Sequence, residues 1–142
     1  MGRELLHVEA DAELADTVRR AFAPAGFQVT TIGGGEAAVE RIRTARPDLV
    51  LLAAELPDMS GFSVCNRIKR ALGAVPLILY TGEASDQAIE AHRQTRTHAD
   101  EYLRTPLDLA DVMHRAAQLL SAGGAGPPPL RPAPPAAVAV AA

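Results

Sequence analysis

Five short aliphatic-rich runs recur along this chain, with stretches of helical period between them and after the last. The runs are Leu5–Val8, Gln28–Ile32, Leu49–Leu52, Leu77–Tyr80 and Glu101–Leu103. Their length and their content of Val, Ile and Leu read as strands. Leu49-Val50-Leu51-Leu52 is continuously apolar, the pattern of a parallel strand covered on both faces. Between the runs, Leu14, Val18 and Phe22 share one helical face ahead of Pro24 and Gly26. Glu36 to Arg46 carries Val39 and Ile42 on one side and stops at Pro47. Ser60 can cap a helix that turns Val64, Ile68 and Leu72 inward, with Gly73 just past its end. Asp108 can cap a last helix whose Leu109, Val112, Met113, Ala116 and Leu120 form an apolar stripe.

Five strands alternating with five helices imply a parallel sheet with right-handed crossovers. The expected class is α/β: a flavodoxin-like (βα)5 doubly wound sandwich whose five-stranded parallel sheet has the order 2-1-3-4-5. Residues 1–121 form that unit. After Ser121 the composition changes to Gly123-Gly124-Ala125-Gly126, then Pro127-Pro128-Pro129-Leu130-Arg131-Pro132-Ala133-Pro134-Pro135 and an Ala/Val end. Residues 122–142 have too little to bury to offset their ordering entropy, and read as a Gly/Pro/Ala-rich disordered tail or linker.

With 48% apolar residues the chain can build a core, but only 4% are aromatic, so aliphatic side chains must fill it. A net charge of −3 and scattered basic residues exclude the basic footprint of a nucleic-acid-binding domain. No apolar stretch approaches the ~18 residues of a membrane span, and Met1-Gly2-Arg3-Glu4 opens no signal peptide. A cytoplasmic protein is expected. Cys65, the single cysteine, lies on the apolar side of its helix and reads as a buried thiol. Gly33-Gly34-Gly35-Glu36-Ala37-Ala38 satisfies GxGxxA but follows the second strand, so it reads as a turn and not as a dinucleotide site. His7 reads as a core or pocket-edge group, and His92 and His98 are spaced poorly for one metal site.

The strand ends, taken in order, resemble the bacterial two-component receiver domain. Leu5-Leu6-His7-Val8-Glu9-Ala10-Asp11 is similar to that family's first strand and acidic turn. Arg46-Pro47-Asp48-Leu49-Val50-Leu51-Leu52 and Leu56-Pro57-Asp58-Met59-Ser60-Gly61-Phe62 resemble the segments on either side of its phosphorylated aspartate. Val75–Thr81 resembles its fourth strand with the hydroxyl residue, and Ala99–Pro106 its fifth strand with the lysine–proline step. The resemblance covers residues 4–121.

What it implies for chemistry is loss. The position of the phospho-acceptor aspartate, four residues before Pro57, is Ala53. Phosphoryl transfer needs an oxygen nucleophile, a metal and positioning donors, and a methyl group supplies none of these. The Mg²⁺-binding acidic pair corresponds to Glu9 and Ala10, with Asp11 beside them, and the pairing lysine corresponds to Thr105. These losses are mutually consistent, because a lysine without neighbouring carboxylates is an uncompensated charge. Thr81, which would read the phosphate, and Tyr102, the aromatic that couples the site to the outer face, remain.

The resemblance therefore implies a degenerate receiver, or pseudo-receiver: no catalytic residue, no cofactor, no metal, and signalling by docking a protein partner independently of phosphorylation. The expected docking face is that of the fourth helix, fifth strand and fifth helix, with Tyr102, Arg104, Asp111 and Arg115 as contact residues. No nucleic acid or membrane partner is expected, and the oligomeric state is left open. Two alternatives stand beside this reading: phosphorylation at a substitute acid, Glu55 or Asp58, and a small-ligand sensor using the vacated space at Ala10, Ala53 and Thr105. The family's lysine–proline bond is cis, so a cis Thr105–Pro106 bond is expected. His98 stands where the family places a glycine, so either that turn is rebuilt or the fourth helix ends differently.

Overall fold

The computed structural model describes residues 2–123. Strands and helices alternate: β1 Arg3–Val8, α1 Ala12–Phe22, β2 Phe27–Ile32, α2 Gly35–Thr44, β3 Leu49–Ala53, α3 Gly61–Ala71, β4 Leu77–Thr81, α4 Asp86–Arg93, β5 Glu101–Arg104 and α5 Leu109–Gly123. All strands pair in parallel in the order β2-β1-β3-β4-β5, the doubly wound flavodoxin-like arrangement. Each expected strand is present and extends one or two residues further than its apolar run, because backbone pairing continues past the apolar residues. The Pro-rich tail lies outside the described residues.

Every residue of β3 and β4 is buried, since both strands have neighbours on either side and helices over both faces. Leu5, Leu49, Leu51, Ile78 and Tyr80 meet Val18 and Phe22 of α1 and Val112 and Ala116 of α5 on one face. Leu6, Val8, Val50, Leu52 and Leu79 meet Ala38, Val39 and Ile42 of α2 and Val64 and Ile68 of α3 on the other.

The helix boundaries follow local chemistry. Ser60 Oγ accepts the Phe62 amide at the start of α3, and Asp108 Oδ1 accepts the amides of Ala110 and Asp111 at the start of α5. α1 ends at Phe22, and Pro24 sits in a 3-10 turn closed by Gly26 at φ +96°, a left-handed backbone that glycine adopts without steric cost. α4 ends at Arg93 and no non-glycine residue among those described has positive φ, so the turn before His98 is rebuilt without the strain a left-handed histidine would carry. Thr95 holds that rebuilt end, its amide and hydroxyl both donating to His92 O.

Candidate functional site

In an open sheet of this kind, ligands gather beyond the carboxyl ends of the strands. Here those ends bring Glu9, Ala53, Glu55, Thr81 and Thr105 together. Ala53 closes β3 and is buried, 3% exposed. The chain after it doubles back sharply: Gly61 N–H donates to Ala54 O at 2.8 Å. A Cβ on Gly61 would lie 2.1 Å from Ala53 O, so only glycine lets α3 start this close to β3.

Ala53 pairs in register with Tyr80, and both belong to the sheet face covered by α1 and α5. The Tyr80 side chain spans β3 to reach the β1 side. Its hydroxyl donates to Glu9 Oε1 at 2.5 Å, which leaves the phenol oxygen to accept from His7 Nε2–H at 2.7 Å. His7 is therefore the neutral Nε2–H tautomer, and its buried Nδ1 has no hydrogen-bond partner. Burial lowers the His7 pKa to about 4. Burial, then the hydrogen bond and charge of Glu9, push the Tyr80 phenol well above its ordinary range.

The remaining acids are also engaged. Glu9 Oε2 accepts the Asp11 amide, and the Asp11 carboxylate accepts the amides of Glu13 and Leu14 as the N-cap of α1. Asp58 Oδ1 and Oδ2 accept the amides of Gly35 and Glu36, capping α2 from a different loop. Those bonds, the Glu36 amide first, hold the Asp58 pKa below the usual carboxylate range. Gly35 of the glycine run is there for packing, since a Cβ on it would lie 2.4 Å from Met59 Cγ. Glu55 reaches β4: Oε2 accepts the Thr81 hydroxyl at 2.5 Å and Oε1 the Gly82 amide at 3.1 Å.

Thr105 follows β5 and packs against the loop after β4, where a Cβ on Gly82 would lie 2.6 Å from its Oγ1. The Thr105–Pro106 bond is cis, as expected. Ala10 and Thr105 are exposed while Ala53 is buried, so these three residues do not line one closed cavity.

On the outer side, Tyr102 is half-buried and its hydroxyl is enclosed. It accepts the Ala99 amide at 2.9 Å and shares a 2.6 Å hydrogen bond with His92 Nδ1. His92 Nε2 lies 2.8 Å from Asn66 Oδ1, which also accepts the Thr97 hydroxyl. A neutral His92 that donates from Nε2 and accepts from Tyr102 at Nδ1 satisfies every member. Burial, then the proximity of His98, hold its pKa below the ordinary value. Arg93 stacks over the Tyr102 ring at 4.8 Å. Arg104 is exposed and pairs with Asp86. Arg115 is 8% exposed and pairs with Glu101 and Asp111, so it ties α5 to β5 with its guanidinium turned inward. Cys65 is buried as expected; its Sγ donates to Thr97 O and burial pushes its thiol up to about 12.

Glu9, Ala10, Asp11, Ala53, Thr81 and Thr105 all lie at or just beyond the carboxyl ends of the strands. No local sequence signal announces the contact of the Tyr80 hydroxyl with Glu9 or that of His92 with Tyr102. The Glu55–Thr81 contact joins residues 26 positions apart and has no local sequence signal.

The sheet order is doubly wound and the Thr81 hydroxyl at the end of β4 is buried; comparisons with known proteins supply the family. Residues 5–117 match the family described as response regulator receiver domain. The DNA-binding response regulator MtrA of Mycobacterium tuberculosis H37Rv is 34% identical over 115 residues, covering 81% of this chain and 49% of that protein. The adventurous-gliding motility protein Z of Myxococcus xanthus is 32% identical over 114 residues, covering 79% of this chain and 8% of that protein. A CheY-like receiver domain from Methanospirillum hungatei superposes with a TM-score of 0.83 at 20% identity, covering 89% of this chain and all of that one. A two-component response regulator from Clostridium difficile gives a TM-score of 0.77 at 22% identity, covering 84% and 96%; both structures bear on the fold alone. The chain belongs to the response regulator receiver domain family. It spans about half the length of the MtrA relatives it matches.

The family's Mg²⁺ requires near-octahedral oxygen ligation, and the residues present do not fit it. Ala10 and Ala53 offer no oxygen side chain, Glu9 is bound through both oxygens to Tyr80 and the Asp11 amide, and Asp11 caps α1. Among the described residues no group of three His, Cys, Asp or Glu side chains could hold a metal ion.

Proposed function

We propose that this chain is a pseudo-receiver: a receiver that signals by binding a protein partner and takes no phosphoryl group. The observation that carries the reading is a methyl group at the end of β3 beside acids that are already hydrogen-bonded to other groups. Ala53 supplies no nucleophile, and the carboxylate of Glu9, the one acid retained from the metal pair, is satisfied by Tyr80 and the Asp11 amide. The substitute acids are spent as well, Asp58 on the α2 amides and Glu55 on Thr81 and Gly82. On this reading the chain is not an enzyme and uses no cofactor.

The partner surface is the α4–β5–α5 face. Arg104 and the outer edge of the Tyr102 ring are its contact groups, and the Arg115–Asp111–Glu101 ion pairs set the angle of α5 beside them. DNA binding is named for the MtrA relatives, which extend well beyond the matched region; here a net charge of −3 argues against a nucleic-acid partner. No helix among the described residues is long and apolar enough to cross a membrane, and the proposed site of action is the cytoplasm.

The test is incubation of the chain with acetyl phosphate and Mg²⁺, read by intact mass. The expected result is an unmodified chain. A stable phosphate adduct, mapped by fragmentation to Glu55, Asp58 or any other residue, would establish the substitute-acceptor reading instead.

A further inference from the structure

Glu55 leaves β3 two residues beyond Ala53, where a bridge to Ser60 holds its backbone. Its side chain does not turn back onto that loop. Both carboxylate oxygens cross to the end of β4, one accepting the Thr81 hydroxyl and the other the Gly82 amide. Charge-assisted bonds of this kind are shorter and stronger than neutral ones, and Thr81 is fully buried. Thr81 Oγ1 in turn accepts the amides of Glu83 at 3.3 Å and Ala84 at 3.0 Å. These two residues lead straight into Ser85, the N-cap of α4, whose Oγ accepts the Ala88 amide. Hydrogen bonds thus reach from the Glu55 carboxylate through Thr81 to the amides of Glu83 and Ala84, and the backbone leads on from there into the Ser85-capped first turn of α4.

α4 depends on such ties. It is eight residues long and buries only Ile89 and His92, so little apolar area fixes its seat against the sheet. Its other anchors include the exposed Asp86–Arg104 pair, of a class that contributes little, and, at its far end, the His92–Tyr102–Asn66 network with the Phe62 and Arg93 ring contacts.

We propose that Glu55 is a built-in oxyanion ligand for the β4–α4 loop, and that its carboxylate, not an added group, sets the position of α4 and of the Tyr102 face. The proposal rests on the reading that the chain is not phosphorylated, and adds what holds the unphosphorylated fold in one arrangement. The Thr81 hydroxyl and Gly82 amide form a two-donor cradle for one anionic group, and removing the side chain leaves that cradle open to a small oxyanion.

The experiment is amide NMR on the full chain carrying Glu55→Ala, titrated with acetate and, separately, with inorganic phosphate. The expected result is a displacement of the Gly82, Glu83 and Ala84 amides that continues along α4 to His92 and Tyr102, with faster hydrogen exchange in α4. Acetate or phosphate should reverse it saturably. Displacements confined to the immediate neighbours of Glu55, or no saturable reversal by either anion, would overturn the proposal. Should Glu55→Ala fail to fold, Glu55→Gln decides: its amide keeps the size but loses one acceptor, so displacement must still reach α4, and an unmoved α4 overturns the proposal. The wild-type chain with acetyl phosphate separates the two readings. A phosphate adduct there refutes phosphorylation independence, whereas an unmodified wild type with an unmoved α4 in the variants refutes only the role of Glu55.

Discussion

The Tyr80 hydroxyl, carried on β4, donates to a carboxylate oxygen of Glu9 beyond the end of β1 at 2.5 Å. The two strands are separated in the sheet by β3, so the tyrosine side chain spans the strand that ends in Ala53. A small residue at position 53 and a large polar-tipped one at position 80 are thus parts of one arrangement.

Introducing an acid at position 53 alone should therefore not confer phosphoryl chemistry. Ala53→Asp places a carboxylate at a buried position beside the Tyr80–Glu9 pair, with no lysine at Thr105 and no second acid at Ala10. An uncompensated buried charge costs about 3–5 kcal/mol. Urea unfolding should show a loss of that order, and intact mass after acetyl phosphate treatment should show no adduct. A stable variant that accepts phosphate would contradict this account of the site.

Tyr80→Phe removes the one group that satisfies both Glu9 Oε1 and His7 Nε2–H. Leaving buried polar partners unpaired costs roughly 1–3 kcal/mol, which denaturant midpoints would detect. Solvent at the Glu9 end can recover part of this, so the loss should fall more heavily on the buried histidine.

His7 gives the fold an acid sensitivity with a defined sign. Its pKa is lowered from 6.5 to about 4 in the folded chain. Between those values the unfolded chain binds the extra proton and the folded chain does not, so stability is complete above the upper value and is lost as pH falls toward the lower one. The full effect is on the order of 3 kcal/mol. His7→Leu should flatten the wild-type slope across that window in parallel urea titrations, and identical slopes in the two proteins would contradict the assignment.

The fold was legible because its signals are local and periodic. β3 needed only its continuous apolar run, and Ser60 and Asp108 announce their helices within three residues. That Ala53, Ala10 and Thr105 carry neither a carboxylate nor an amine is read directly from the sequence at the strand ends. What escaped was contact across long sequence separation. Tyr80 reads as the last apolar residue of a strand until Glu9, 71 positions away, supplies a partner for its hydroxyl. Asp58 reads as a turn former until the α2 amides, 22 and 23 positions back, close on it. Arg115 falls on the expected helix, but its direction is set by Glu101 on β5 and by Asp111 one turn earlier. Periodicity along one helix does not report the strand beside it.

The Tyr102–His92 contact should behave as a coupled pair. His92→Leu and Tyr102→Phe each break the chain from the Ala99 amide to Asn66. A double-mutant cycle should return a coupling of about 1 kcal/mol or more. Burial holds the His92 pKa below the ordinary value, so its contribution is lost as pH falls through the histidine range. Tyr102→Phe should shift the His92 titration seen by ring-proton NMR, and an unchanged titration would sever the pair.

The most direct test of phosphorylation independence is amide NMR of the full chain with Mg²⁺ and fluoroberyllate, a phosphoryl mimic. The account predicts no saturable shifts at Thr81, Gly82, Tyr102 or the residues flanking Ala53. Saturable shifts there would show a working anion and metal site, and would contradict the reading of this chain as a pseudo-receiver.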